Sequence, residues 1–157
     1  MLQRKQTLYL FFAGLVTVVL LFMPFGRFFI ENTPCFEYNA FVVKTISEKM
    51  IISYTIGNAI LLIATSFLSF ITIFLYKNRK LQIKLISINM LLILITICAI
   101  MYVYPNLVLS KNVNLSDTKL DFNYAILISF VSAIGLFLAK KAIMKDEALI
   151  RSADRLR

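Results

Sequence analysis

Residues Leu85 to Tyr104 read LISINMLLILITICAIMYVY, twenty consecutive residues without Asp, Glu, Lys or Arg. A hydrocarbon layer of about 30 Å is crossed by about 20 apolar residues rising about 1.5 Å each. The stretch therefore reads as a membrane-spanning helix, whose backbone polar groups are satisfied within the segment. Three other runs share its character: Leu8 to Phe25, Ile51 to Tyr76 and Asn123 to Ala139. The second is long enough to tilt. The fourth is short, but the good helix formers from Ala142 to Ala148 follow it without Pro or Gly, so its helix is predicted to run past the membrane surface. Tyr9, Tyr54, Tyr76, Tyr102, Tyr104 and Tyr124 fall near the boundaries, where aromatic rings anchor at the headgroups.

The composition agrees with this reading. The 157 residues are 60% hydrophobic and 16% charged, and the mean hydropathy is +0.82. A soluble core of this size has no room for so much apolar surface. The predicted fold class is all-α: an integral membrane four-helix bundle over residues 1–139, followed by a basic cytoplasmic helical tail over 140–157.

Counting basic residues orients the chain, because short translocated loops carry few of them. Residues 1–7, the loop 77–84 and the tail together hold twelve Lys and Arg against three acids. The loops 26–50 and 105–122 hold five basic and five acidic residues. The entire net charge of +9 thus sits on one face, which is assigned to the cytoplasm together with both termini. Arg4 and Lys5 ahead of an apolar run also suit a signal peptide. However, the run is longer than a usual signal core and ends in Met23-Pro24-Phe25-Gly26-Arg27, so it reads as a retained first helix. The basic charge points to anionic lipid headgroups rather than to nucleic acid.

Little chemistry is visible. The chain has no His and no Trp, which removes the commonest metal ligand and general base. No carboxylate pair, metal cluster or activated nucleophile assembles, so no catalytic residue, cofactor or metal is assigned and an enzyme ranks last. Cys35 lies in the first outer loop and Cys98 within the third span, without a CxxC pattern. The residues before Cys35 do not suit lipid modification, and Cys98 reads as a packing residue.

Polar residues at depth are Asn58 on the outer side of the second span, Asn89 on the inner side of the third, and Ser69, the expected neighbour of Asn89. Interhelical hydrogen bonding is their ordinary use, at roughly 0.6 kcal/mol each. Small residues offer packing faces: Ala125, Ser129, Ala133 and Ala139 with Ser132 and Gly135 on the fourth span, Ala13 and Thr17 on the first, and Ser53, Gly57, Thr65 and Ser69 on the second. The outer loop 26–50 alternates through Phe36-Glu37-Tyr38-Asn39 after a turn at Asn32-Thr33-Pro34, which suits a short hairpin lying over the helices. Loop 105–122 reads as polar and turn-rich. In the tail, Glu147 with Arg151 and Asp154 with Arg157 fall at helical pair spacing opposite an apolar face.

The opening MLQRKQTLYL (Met1 to Leu10), the inner loop YKNRKLQIKL (Tyr76 to Leu85) and the ending DEALIRSADRLR (Asp146 to Arg157) resemble the family called domain of unknown function 4293, small four-span membrane proteins of the Bacteroidota. The resemblance covers the whole chain and implies a bacterial inner-membrane location. It brings no activity, cofactor or catalytic residue. It directs attention to the cytoplasmic face, where Arg4, Lys5, Lys77, Arg79, Lys80, Lys84, Glu147, Arg151, Asp154, Arg155 and Arg157 are the candidates for binding lipid or a protein partner. The leading expectation is a non-enzymatic accessory or scaffold subunit. The alternative is a small oligomeric transporter or channel with a path near Asn58, Thr65, Ser69 and Asn89.

Overall fold

A computed structural model describes residues 5–30, 33–47, 50–76, 78–107 and 118–155. Four helices form: α1 (Lys5–Leu20), α2 (Ile56–Phe74), α3 (Arg79–Cys98) and α4 (Ala125–Arg155). α3 continues through a π-helical turn, Ala99–Val103, as far as Leu107. α1 packs against α2 and α4, and α3 closes the ring against the same two helices. The segments Ile56–Phe74, Arg79–Leu107 and Ala125–Leu149 are each long and apolar enough to cross a membrane, and α1 is a shorter apolar helix.

The expectation of an all-α fold is overturned by a five-stranded antiparallel sheet. Its strands are β1 (Gly26–Ile30), β2 (Thr33–Tyr38), β3 (Val42–Thr45), β4 (Ile51–Tyr54) and β5 (Thr118–Phe122), in the order β4-β3-β2-β1-β5. The suggested hairpin is present as β1 and β2, but it is only part of a larger sheet. The second run was expected to be helical from Ile51; its first four residues instead pair with β3, Val42 opposite Tyr54 and Val43 opposite Ser53. Ser53 is therefore a strand residue and not part of a helix-packing face. The stretch 118–122, expected to be loop, pairs with β1 over its full length. The physical reasons differ: an apolar average cannot separate a short strand at Ile51–Tyr54 from the helix that begins at Ile56, and the alternation of 118–122 becomes a strand only through pairing with β1, about ninety positions earlier.

The sheet sits across one end of the helices. Phe28, Tyr38 and Val43 turn inward and are fully or almost fully buried, and Phe36 and Leu120 pack against the same cluster. With Phe25 they meet Leu20 of α1, Ala59 and Leu62 of α2, Ile100 beyond α3, and Ala125 and Ile126 of α4. Alternation along each strand sends charge to the other face. Lys44, Glu37, Arg27 and Asp121 stand opposite one another across β3, β2, β1 and β5, a row of alternating sign. Within it Arg27 Nη2 lies 3.7 Å from Glu37 Oε1. Gly26 permits the close approach of β5, since a methyl there would lie 2.8 Å from the Asp121 carbonyl oxygen.

A second core fills the opposite half of the ring, from Leu10 and Ala13 through Ile86 and Ile93 to Leu136, Ala139 and Ile143. α2 is polar on the side it buries and apolar on the side it exposes. Asn58, Thr65, Ser66, Ser69 and Thr72 are buried, whereas Ile56, Ile60, Ile63, Phe67 and Phe74 are exposed. Water would select the opposite arrangement.

Candidate functional site

The buried polar groups form a seam along α2 and α3. On α2, Asn58, Thr65 and Thr72 recur every seven residues, with Ser69 one turn after Thr65; on α3, Gln82, Asn89 and Thr96 repeat the same interval, and all are buried. A seven-residue step returns to nearly the same side of a helix, so the two stripes run along the facing sides of antiparallel helices. Near the turn between them, Gln82 Nε2 donates to the Thr72 carbonyl at 3.1 Å. One level further in, Asn89 Nδ2 donates to Ser69 Oγ at 2.7 Å, and Ser69 in turn donates to the Thr65 carbonyl at 3.0 Å. At the sheet end, Asn58 Nδ2 donates to the Tyr38 hydroxyl.

The amide oxygens of Asn58 and Asn89 have no hydrogen-bond partner, although the residues are 0% and 1% exposed. Most buried polar atoms are paired, and each that is not costs about 1–3 kcal/mol. Burial pushes the Tyr38 phenol well above its ordinary value, the Asn58 hydrogen bond opposing the shift and Tyr104 adding to it. The Tyr104 hydroxyl lies against Gly57, where a methyl group would overlap it. Tyr38 also meets Phe25 edge to face, with ring centres 5.3 Å apart.

α1 joins the seam through its own backbone. Ser66 of α2 donates to the Gly14 carbonyl at 3.4 Å, and Ser132 of α4 donates to the Ala13 carbonyl at 3.3 Å. These contacts require close approach, which Gly14 and Gly135 supply: a methyl on Gly135 would lie 3.3 Å from Ala13 Cβ. Small residues do here what they do at other tight helix crossings.

The end of the ring away from the sheet is basic. Arg79, at the first turn of α3, is partly buried, and its Nη1 is closed off from solvent without a hydrogen-bond partner. Lys80 and Lys84 are exposed, as are Lys141 and Lys145 on α4, while Lys140, Asp146 and Glu147 are half-buried. Arg4, Lys77 and Arg157 lie outside the described residues. Lys5, Arg151, Asp154 and Arg155 lie in helices, but their side chains are outside the described part.

The site residues suggested by sequence therefore fall in two places. Asn89 meets Ser69, whereas Asn58 belongs to a separate cluster at the sheet. Gln82 was not singled out from sequence, and Tyr104 and Tyr38 were read only as a boundary anchor and a hairpin residue, not as members of a buried polar cluster. The seven-residue recurrence of Gln82, Asn89 and Thr96 marks Gln82, but nothing local marks Tyr38, whose partner is 20 positions away. Cys35 and Cys98 are both free. Among the described residues no three His, Cys, Asp or Glu side chains group as metal ligands.

No curated protein matches the chain. Residues 2–156 match the family described as Domain of unknown function (DUF4293), and the chain belongs to that family.

Proposed function

We propose that this chain is a multi-pass protein of a bacterial inner membrane, with both termini cytoplasmic, that works without catalysis as an accessory or scaffold subunit and binds a partner through its cytoplasmic face. The observation that carries the reading is the separation of charge along the helix axes. The sheet end pairs its charges in a neutral row, Lys44, Glu37, Arg27 and Asp121, while Arg79, Lys80, Lys84, Lys140, Lys141 and Lys145 gather at the other end. That asymmetry is what the positive-inside bias produces. The apolar outer side of α2 and its polar inner side support insertion. α1 is short, but it lies between α2 and α4 and exposes Leu8, Phe11, Phe12, Leu15 and Val19, so it crosses with them.

Beyond the apolar band, α4 projects its last turns from the basic end. A helix of 31 residues spans about 46 Å, some 16 Å more than the hydrocarbon needs. A helical projection carrying both signs of charge is suited to a specific protein surface. The test is extraction in mild detergent with a tag near Asn114, comparing the full chain with one ending at Glu147, which retains Ile143 in the core. A stoichiometric partner lost on shortening supports the reading. A protein that migrates alone in both forms counts against it.

A second reading, a small oligomeric transporter or channel, draws on the unpaired amide oxygens of Asn58 and Asn89 along the polar seam. Flux through proteoliposomes tests it. Equal flux from the native protein and the Asn58→Leu, Asn89→Leu double variant refutes it.

A further inference from the structure

We propose that the basic end of the packing between α3 and α4 binds the phosphate headgroup of an anionic phospholipid, with Arg79 as the central ligand. The inference rests on the membrane reading above and assigns a lipid class and a place to it. Arg79, Ile83, Met90 and Ile97 recur at helical spacing along α3, and the last three pack into the core that holds Leu136, Ala139 and Ile143 of α4. Arg79 therefore stands one turn beyond Ile83, at the first residue of α3 and the end of that packing. Its Nη1 is shielded from solvent and meets no acceptor in the protein. A guanidinium is always charged, and a shielded donor on it calls for an anionic oxygen.

The surroundings favour the same ligand. Asn78 precedes α3 without a side-chain capping bond, and the first turn carries no acid, so free backbone N–H groups and the positive helix end add to the field. Lys80 and Lys84 on α3 and Lys140, Lys141 and Lys145 on α4 outnumber Asp146 and Glu147. These charges border exposed apolar residues, Leu81, Ile88 and Met144. A free phosphate ion satisfies only the basic half of that surface. A phospholipid satisfies both halves, its phosphate on Arg79 and its chains along the apolar flank.

The chain has no Trp, so Leu81→Trp places a single fluorophore beside the site. The full-length variant is reconstituted into vesicles of phosphatidylcholine and phosphatidylglycerol, with bromine carried on one lipid or the other as quencher. The quenching is expected to show a preference for phosphatidylglycerol of about fivefold, the effect of one basic residue near the surface. Adding Arg79→Gln should bring the ratio close to one, Lys141→Gln, which removes only surrounding charge, should lower it by a smaller factor, and Lys119→Gln at the sheet end should leave it unchanged. Arg79→Lys, which keeps the charge and loses the fork, should fall between, and unchanged far-ultraviolet dichroism shows that the variants are folded.

Equal quenching by the two lipids overturns the proposal. So does an equal loss in Arg79→Gln and Lys141→Gln, which marks diffuse surface charge, or loss of the preference in excess inorganic phosphate, which marks a site for the free ion. Absence of quenching by either lipid overturns the membrane reading itself and is distinguishable from all of these.

Discussion

Replacing Asn89 by Leu is expected to stabilise the protein by roughly 0.5–2 kcal/mol. Asn89 contributes one interhelical hydrogen bond, 2.7 Å from Nδ2 to Ser69 Oγ, and such bonds between membrane helices are worth about 0.6 kcal/mol. Against this, its Oδ1 is buried without a partner, at a cost of about 1–3 kcal/mol. Leucine has the same branching and the same number of side-chain heavy atoms, and it removes both terms. Ser69 retains its bond to the Thr65 carbonyl, so no new unpaired group is created. The opposite substitution in the pair, Ser69→Ala, removes the acceptor and leaves the whole Asn89 amide unpaired, so it should destabilise by about 1–3 kcal/mol. Thermal unfolding in one detergent, followed by far-ultraviolet dichroism, measures both, with about 2–4 °C expected per kcal/mol for a chain of this length. If Asn89→Leu lowers the midpoint, Oδ1 has a partner in the folded protein and the reasoning fails. If it raises the midpoint and the protein loses its partner or its flux, Asn89 is kept for function at a cost in stability.

Three further outcomes follow from particular contacts. Gly57→Ala places a methyl on the Tyr104 hydroxyl and should cost about 1–3 kcal/mol as an overpacked site; Tyr104→Phe should restore part of it, a non-additivity that a double-mutant cycle reads. Gly26→Ala meets the Asp121 carbonyl oxygen at 2.8 Å, and because that atom is backbone the strand must move; amide exchange across Thr118–Phe122 should accelerate while α3 stays protected. Tyr38 titrates higher in the folded protein than its ordinary value of about 10, so its contribution is complete below pH 10 and is lost above it, as the unfolded chain releases a proton that the folded one retains. The stability difference between the native protein and Tyr38→Phe should therefore change by about 1.4 kcal/mol per pH unit above pH 10 and be flat between pH 7 and 9; a slope below pH 9 refutes it.

The helices were legible in the sequence because a run of about twenty residues without charge is a long, uniform signal. The charge asymmetry was legible for the same reason, being a sum over whole loops. The sheet was not, and β4 shows why. Ile51 and Ile52 raise the apolar average as much as the helix residues after Thr55 do, and what separates strand from helix is the pairing of Val43 with Ser53, which no property of the four residues alone displays. β5 carries a readable alternation, Lys119 and Asp121 against Leu120 and Phe122, yet its partner β1 lies about ninety positions earlier. In the polar seam the recurrence of Asn58, Thr65 and Thr72, and of Gln82, Asn89 and Thr96, was present as a heptad and identifies the inward faces. The Tyr38 to Asn58 contact is invisible without the sheet that delivers it. Arg79 could be seen as one basic residue among several; only its position at the end of the packing between α3 and α4 distinguishes it from Lys80.

The sheet draws its strands from two places in the chain, β1 to β4 between α1 and α2, and β5 between α3 and α4. β1 precedes β5 by about ninety residues, so its edge has no partner on that side until α2 and α3 have been added to the chain and β5 follows them. The β1–β5 ladder forms only when α2 and α3 return the chain to the end of the ring where β1 lies. A chain with α3 displaced from the ring would withdraw β5 and leave the β1 edge open to other strands. Gly26, whose missing side chain lets the Asp121 carbonyl approach, thereby ties the two helical hairpins to each other.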